Sequence, residues 1–255
     1  MAEIAYFDLT SVAAPCHDPA AATCDNPPRR QSLVDRSPSF RTLLRSKQDM
    51  VLSIRDVQPH ELDSVLALNN AAGATILPLD AAALRSLYEQ ASYFRMAEID
   101  GRVAGFLAAM REDSDYGSSN FLWFRERYPE FVYIDRIVVV KPYRGLGLGR
   151  VFYADATSYA ETRVPLLACE VFLEPRDDVS LLFHGTYGFQ EVGQRTMAKN
   201  GRRVSLLAKT LCSFPFVRDT YLQDPDGHLP DLPWLAERAH LSVSARRSVR
   251  AAGGN

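Results

Sequence analysis

The chain has few cysteines and lacks any long apolar run. Its 4 cysteines are scattered without metal-ligand spacing, at Cys16, Cys24, Cys169 and Cys212. Cys16, His17 and Cys24 lie close together in the sequence, but a metal site there would lack a fourth ligand. We therefore expect free thiols in a reducing cytoplasm and no metal. No apolar stretch is long enough to cross a bilayer, so we expect no membrane partner.

The sequence also lacks an excess of charge of either sign. Its formal net charge is −2, which does not favour a nucleic acid or an anionic membrane as partner. The first residues include Glu3 and Asp8 and no basic start, which is unlike a signal peptide and predicts a cytoplasmic protein. With 47% hydrophobic and 24% charged residues, the chain has the composition of a globular protein with a substantial core.

Composition and periodicity divide the chain into three parts. Residues 1–48 are rich in Ala, Pro, Asp and Arg and keep no hydrophobic period, which predicts a disordered N-terminal arm. Residues 49–211 alternate between strand and helix patterns and are predicted to form the folded domain. Residues 212–255 contain several prolines and a basic stretch, and we treat them as a C-terminal extension.

Local signals place several elements within the domain. Asp80 is a good N-cap for a helix, and Asp100-Gly101 between two strand-like runs predicts a hairpin. An aromatic connection over 113–130 precedes a predicted strand, Phe131–Val140. A helix is then predicted from Gly147 to about residue 162. Its predicted buried stripe is Leu148, Val151, Phe152, Ala156, Tyr159 and Ala160.

The turn between that strand and that helix has glycine at alternate positions. Its residues are Arg144, Gly145, Leu146, Gly147, Leu148, Gly149 and Arg150. Alternate glycines let main-chain N–H groups converge at a helix N-terminus, which suits a pyrophosphate. The spacing differs from the dinucleotide motif G-x-G-x-x-G, and Arg150 stands where a Walker A loop has lysine. Two other interpretations of this glycine turn stay open at this point. It is either a tight turn with a structural role alone or a nucleotide site in a protein of another fold.

The order of motifs around this turn resembles the GNAT superfamily of acyl-CoA N-acyltransferases. The resemblance covers roughly 51–210 and rests on the strand Tyr133–Val140, the turn, the strand Leu166–Phe172, Phe183-His184 and Tyr187-Gly188-Phe189. It implies a mixed α/β fold with a central, splayed, mostly antiparallel sheet flanked by helices. It also implies an enzyme that moves an acetyl group from acetyl-CoA to a primary amine of a small molecule, a peptide or a protein by direct attack.

The resemblance further assigns residues to the acyl donor. The main chain of Ile137, Val138 and Val139 is expected to pair with the pantetheine arm, and the glycine turn to bind the pyrophosphate. His184 stands where the family usually has the tyrosine that protonates the leaving thiolate, and Asp177 replaces a common asparagine. These two departures keep a catalytically silent acyl-CoA-binding domain as the alternative.

The general base is sought among Glu170, Asp135 and Tyr133. Glu170 ranks first because a carboxylate in an apolar strand is costly unless it is partnered or functional. Strand alternation predicts that Tyr133, Asp135 and Ile137 share one face, with Arg136 on the opposite face. Asp135 next to Arg136 has a structural ion pair as its other interpretation.

The amine acceptor is expected to meet two loop regions. Asn69 and Asn70, in the region 69–78, either hydrogen-bond a polar acceptor or cap a helix. Tyr133 and the connection 113–130 are the other predicted contacts, the latter as a lid over a small amphipathic amine. Self-association into a homodimer is left open.

Overall fold

The computed structural model describes residues 50–73, 76–197, 201–223 and 229–230. The predicted N-terminal arm, 1–48, lies outside the described residues, as do Cys16, Cys24 and most of the predicted C-terminal extension. Among the described residues, no helix is long and apolar enough to cross a membrane.

The domain alternates between strands and helices much as predicted. The strands are β1 (Leu52–Asp56), β2 (Tyr93–Ile99), β3 (Arg102–Arg111), β4 (Val132–Val139), β5 (Leu166–Phe172), β6 (Gln190–Thr196) and β7 (Arg203–Thr210). The α-helices are α1 (Leu62–Ala71), α2 (Ala81–Gln90), α3 (Ser119–Arg125), α4 (Leu148–Glu161), α5 (Asp178–Thr186) and α6 (Phe214–Tyr221).

The strands form one seven-stranded sheet in the order β1-β2-β3-β4-β5-β7-β6. All neighbours are antiparallel except β4 and β5, which run parallel. That parallel pairing is short, from Val132↔Leu167 to Ile134↔Cys169, after which both strands continue apart. The predicted fold class, a splayed and mostly antiparallel sheet flanked by helices, is therefore confirmed.

Two local signals act as the sequence predicted. The Asp80 carboxylate accepts a hydrogen bond of 2.7 Å from the Ala83 main-chain N–H, which satisfies one of the free donors at the start of α2. Asp100 and Gly101 have φ of 51° and 71° and close the β2–β3 hairpin, the conformation that an Asp-Gly turn favours.

Side chains on the two faces of the sheet build two separate cores. Helix α4 packs Leu148, Phe152 and Ala156 into one core, and α6 adds Phe214; we call this side the α4 face. Helices α1, α2 and α3 pack into the other core, on the side that we call the α1 face. The predicted stripe of α4 is correct except at one place, because Tyr153 is buried and Val151 is only half-buried.

A β-bulge interrupts β4 at Asp135. Ala108 pairs with Arg136 and Ala109 with Ile134, so Asp135 has no partner across the ladder. An extra residue in one strand shifts the alternation of every side chain beyond it. The predicted facing is therefore wrong for Ile137, which packs on the α4 face, and for Arg136, which hydrogen-bonds Asn69 of α1.

Candidate active site

A cleft of about 850 Å³ opens where β4 and β5 part. Its lining includes Ile137 and Val139 from the α4-face core as well as Tyr116 and Phe172, which pack on the α1-face core. The gap in the sheet thus connects both faces. Beyond Ile134, the β5-facing main chain of β4 has no ladder partner from β5, so it is available to an extended ligand.

The predicted phosphate turn lies at one end of this cleft. Gly145 and Gly147 have φ of 79° and 84°, and a Cβ added to either would meet no atom within 4 Å, so open space lies in front of both. Helix α4 begins at Leu148, immediately after Gly147, and its first N–H groups point out of the turn. The turn fits a pyrophosphate because exposed N–H groups and the positive end of the helix dipole converge there.

Arg144 ties this turn to its surroundings. Its Nε donates to the Val139 carbonyl at 2.9 Å, and one of its terminal nitrogens donates to the Ala72 carbonyl at 3.3 Å. Both contacts lie beside the cleft, which Arg144, Val139 and Ala72 all line. The side chain therefore joins the end of β4 to the C-terminus of α1.

Glu170 lies in the part of the cleft that belongs to the α1 face. Burial, together with the negative charge of Asp135, raises the pKa of Glu170 from 4.5 to about 7. The Tyr133 hydroxyl donates a hydrogen bond to the Glu170 carboxylate, and this bond and the Asn120 amide both lower the pKa of Glu170. Together they offset only part of the increase that burial and Asp135 cause. Glu170 keeps partial exposure to the cleft, so it is a carboxylate that takes up and releases a proton near neutral pH.

Asp135, unlike Glu170, has both a hydrogen-bond partner and an ion-pair partner in the part of the chain that the structure describes. Its carboxylate accepts from the Tyr116 hydroxyl at 2.5 Å and from Arg136 Nε at 2.6 Å, with 6% of the side chain exposed. Arg136 in turn donates to Asn69 Oδ1 at 2.8 Å. Asp135 therefore belongs to an ion pair, as the alternative interpretation predicted, and Glu170 has no salt bridge among the described residues.

His184, on α5, forms a buried chain of hydrogen bonds. Its Nδ1 lies 2.7 Å from the Ser180 carbonyl, which only accepts, so Nδ1 carries the proton. Its Nε2 is then the acceptor for the Tyr153 hydroxyl at 2.6 Å. Burial lowers the pKa of His184, and it raises the pKa of the Tyr153 hydroxyl and of the adjoining Cys169 thiol. All three groups line the cleft and are neutral at pH 7.

The predicted acceptor contacts are used within the protein. Asn69 Nδ2 donates to the Leu77 carbonyl at 3.2 Å, and Asn70 exchanges two hydrogen bonds with the main chain of Leu79. Tyr133 is fully buried against Glu170. Direct contact of these three residues with an acceptor stays a prediction, and the geometry shows them shaping the wall behind the cleft.

Sequence reasoning missed two residues of the site. Tyr153 lies three and seven positions before Ala156 and Ala160, a helical spacing that could have revealed it. Asn120, on α3, is 1% exposed, and neither polar atom of its amide reaches hydrogen-bond geometry with any residue that the structure describes. No local sequence pattern predicts that Asn120 belongs to the site. Within the same residues, no group of three or more His, Cys, Asp or Glu side chains could hold a metal ion.

Comparison with known proteins agrees with this geometry. Residues 65–189 match the sequence model of the acetyltransferase (GNAT) family. Ard1 of Thermoplasma volcanium shares 17% identity and superposes with a TM-score of 0.50, covering 63% of this chain and 97% of that protein.

A GNAT-family protein of Desulfovibrio desulfuricans shares 17% identity and superposes with a TM-score of 0.51, covering 63% of this chain and 99% of that protein. These likenesses concern the fold, and no curated protein matches the sequence. The family match, the splayed sheet and the glycine turn agree with one another. The domain that contains residues 65–189 therefore belongs to the acetyltransferase (GNAT) family.

Proposed function

We propose that this protein transfers an acetyl group from acetyl-CoA to a primary amine of a small molecule or a peptide by direct attack. One observation carries the proposal: a single cleft joins the glycine turn at the N-terminus of α4 to a carboxylate whose pKa is raised to about 7. The first feature suits the pyrophosphate of the donor. The second suits the proton that an attacking ammonium group must lose.

The donor is held mainly by main chain. The turn from Gly145 to Arg150 takes the pyrophosphate, and the cleft-facing edge of Ile137, Val138 and Val139 pairs with the pantetheine arm. Such pairing adds an extended ligand to the parted sheet, much as a further strand would. It also directs the thioester towards Ile134 and Cys169, where β4 and β5 separate.

Glu170 is the proposed general base. The acceptor's ammonium group gives one proton to Glu170, and the neutral nitrogen attacks the thioester carbonyl. A C–N bond forms and the C–S bond breaks, so the product is an amide. A base with a pKa near the working pH is both ionised often enough and basic enough for this step. Asp135 is paired with Arg136, and its negative charge favours the ammonium ion before transfer.

The departing thiolate needs the second proton, and we assign its supply to the pair of His184 and Tyr153. The Tyr153 hydroxyl is the donor of this pair, and His184 Nε2 fixes its position. General-acid assistance of this kind contributes about 10²- to 10⁴-fold to a rate. The attacking nitrogen loses a second N–H proton as the C–S bond breaks, and that proton replaces the one that Tyr153 gives to the thiolate. Two protons therefore leave the amine in total, of which one remains on Glu170 and one is balanced by the proton on sulfur.

One observation favours a second candidate function, a silent acyl-CoA-binding domain. Both ring nitrogens of His184 are already engaged, one with Ser180 and one with Tyr153. A neutral histidine held in this way has no proton to give unless the hydrogen bonds rearrange. A protein with this arrangement could bind acetyl-CoA as a sensor without turning it over.

Two measurements test the proposal in sequence. Thermal-shift assays with acetyl-CoA, CoA, NAD and ATP should show stabilisation by the first two alone. Release of CoA is then followed with a broad panel of amines and peptides. Stabilisation by NAD or ATP instead would reject the donor assignment, while binding of acetyl-CoA without release above the hydrolysis background would favour the silent domain.

A further inference from the structure

The mouth of the cleft on the α1 face has an apolar rim. Five cleft-lining side chains also pack against the α1-face core: Ala72, Ile76, Tyr116, Phe172 and Met197. They come from the end of α1, the loop before α2, the aromatic connection, the end of β5 and the end of β6. Carbon surface therefore borders this entrance from several directions.

The floor below this rim is polar and acidic. Glu170 lies on the α1 face, since Ala168 and Phe172, its neighbours at alternate positions of β5, both pack into the α1-face core. Asp135 lies on the same face, because its partner Tyr116 does. Tyr116 therefore connects the rim to the floor, because its ring belongs to the rim and its hydroxyl donates a hydrogen bond to the Asp135 carboxylate.

A buried amide without a hydrogen-bond partner adjoins this floor. Asn120 is close enough to lower the pKa of Glu170, yet both of its polar atoms lack a partner among the described residues. A buried polar group in this state normally meets a ligand or an ordered water. Asn120 is absent from the lining of the cleft, so it adds a polar group behind Glu170.

We propose that the acceptor is a primary amine carried on an apolar aliphatic or aromatic body, and that it enters from the α1 face. Its nitrogen reaches Glu170 while its body lies against the rim formed by Ala72, Ile76, Tyr116, Phe172 and Met197. This inference rests on the proposed acetyl transfer and specifies the substrate class. A second charged group on the acceptor would have to leave water for carbon surface, which is unfavourable.

The test uses the full-length protein, saturating acetyl-CoA and matched amines. From propylamine to hexylamine, kcat/KM should rise by about fourfold for each methylene that the rim buries. Pentylamine and putrescine have equal length, but pentylamine ends in a methyl group and putrescine ends in a second ammonium group. Pentylamine should be favoured by about tenfold or more, since burying the second charge is costly.

A rim variant links the preference to this surface. Met197→Gln should flatten the chain-length series and leave the dissociation constant of acetyl-CoA unchanged. Leu182→Gln is the matched control, because Leu182 is an apolar residue that is 69% exposed and does not line the cleft. An unchanged series in the Met197 variant would overturn the assignment of the rim.

The outcomes separate this inference from the function on which it rests. Transfer that favours putrescine or lysine-containing peptides, or a flat chain-length series, would reject the apolar acceptor while acetyl transfer stands. If no amine releases CoA, the transferase proposal fails, and thermal shifts of the CoA-bound protein with hexylamine and putrescine still decide the binding preference. Equal shifts, or a larger shift with putrescine, would then overturn the inference.

Discussion

The two ends of the cleft bind by different means. At the donor end, one continuous stretch from Gly145 to Arg150 presents main chain in an exposed turn. At the acceptor end, Tyr116, Asn120, Asp135 and Glu170 meet from separate parts of the chain, and their charges and amides are largely buried. A main-chain site tolerates most side-chain changes except those that block it. A buried side-chain site responds to each change of charge or hydrogen bonding.

The electrostatics of the two ends are also opposite. On the proposed function, the N-terminus of α4, with Arg144 and Arg150 next to it, is expected to attract a pyrophosphate. The proposed acceptor floor carries Asp135 and Glu170 and is expected to attract a cation, and burial together with the charge of Asp135 raises the pKa of Glu170. Binding strength is therefore expected to come from the first end and chemistry from the second. Four changes test that division.

The largest effect is expected at the donor end. Gly147→Asp places a side chain and a negative charge at a residue with φ of 84°, where the pyrophosphate should lie. We expect calorimetry to show a loss of acetyl-CoA affinity of about 100-fold or more, as like charges repel at close range.

A matched control separates charge at the turn from backbone strain. Gly101, in the β2–β3 hairpin, has φ of 71° and equally open space, so Gly101→Asp carries similar strain at a residue that does not line the cleft. It should keep the wild-type affinity for acetyl-CoA. Equal losses in both variants would mean that the turn contributes only to folding.

The next effect is expected at the acceptor end and in rate. Glu170→Gln removes the proposed base, so kcat should fall by about 10³-fold while the acetyl-CoA dissociation constant stays the same. In the wild type, kcat/KM should fall as the pH drops below about 7, because protonated Glu170 cannot accept a proton. The variant should lose this limb of the profile.

An exposed carboxylate provides the comparison for Glu170. Glu89 lies on α2 and is exposed, so Glu89→Gln should leave both rate and profile unaltered. A Glu170 variant that kept the wild-type kcat would transfer the role of base to Asp135 or to water. The division between a binding end and a chemical end would then need revision.

A smaller loss of rate is expected in the shared centre of the cleft. His184→Ala and Tyr153→Phe should each lower kcat by about 10²-fold with little change in KM for acetyl-CoA. Because the two residues act through one hydrogen bond, the double variant should be little slower than either single one. His184→Tyr should recover part of the rate.

Independent, additive losses would show that His184 and Tyr153 act separately. Full activity of the His184→Ala variant, with Gly147→Asp unable to bind, would reduce His184 to a packing residue. Circular dichroism on each variant is needed, since Tyr153 and His184 are both buried. A cooperative melt close to the wild type makes the kinetic comparison valid.

The difference between the two ends also explains what could be predicted from sequence. The positive-φ turn at Gly145 and Gly147 can be predicted locally, as can the Asp80 cap and the Asp100-Gly101 hairpin, because the physical cause lies within a few residues. The bulge at Asp135 is set by pairing with β3, so strict alternation placed Ile137 and Arg136 on the wrong faces. The local sequence offers Asn69 either as an acceptor ligand or as a helix cap, and it gives no sign of the tertiary contacts of its amide with Arg136 and the Leu77 carbonyl.

The smallest predicted effect concerns Asn120, a residue that acts through Glu170. Its amide lowers the pKa of that carboxyl, so Asn120→Leu, which keeps the shape and removes the donor, should raise it further. Asn120 lies close to the Glu170 carboxylate outside hydrogen-bond geometry, so its amide favours the charged form electrostatically, and one pKa unit corresponds to about 1.4 kcal/mol. The acid limb of the kcat/KM profile should therefore move up by about one pH unit, with several-fold less activity at pH 7 and recovery at pH 9. Phe121→Leu, in the same buried helix, should leave the limb in place, since it alters packing and not the donor. If Asn120→Leu lowered activity equally at every pH, Asn120 would be a structural residue, and the tuning of Glu170 would belong to Tyr133 alone.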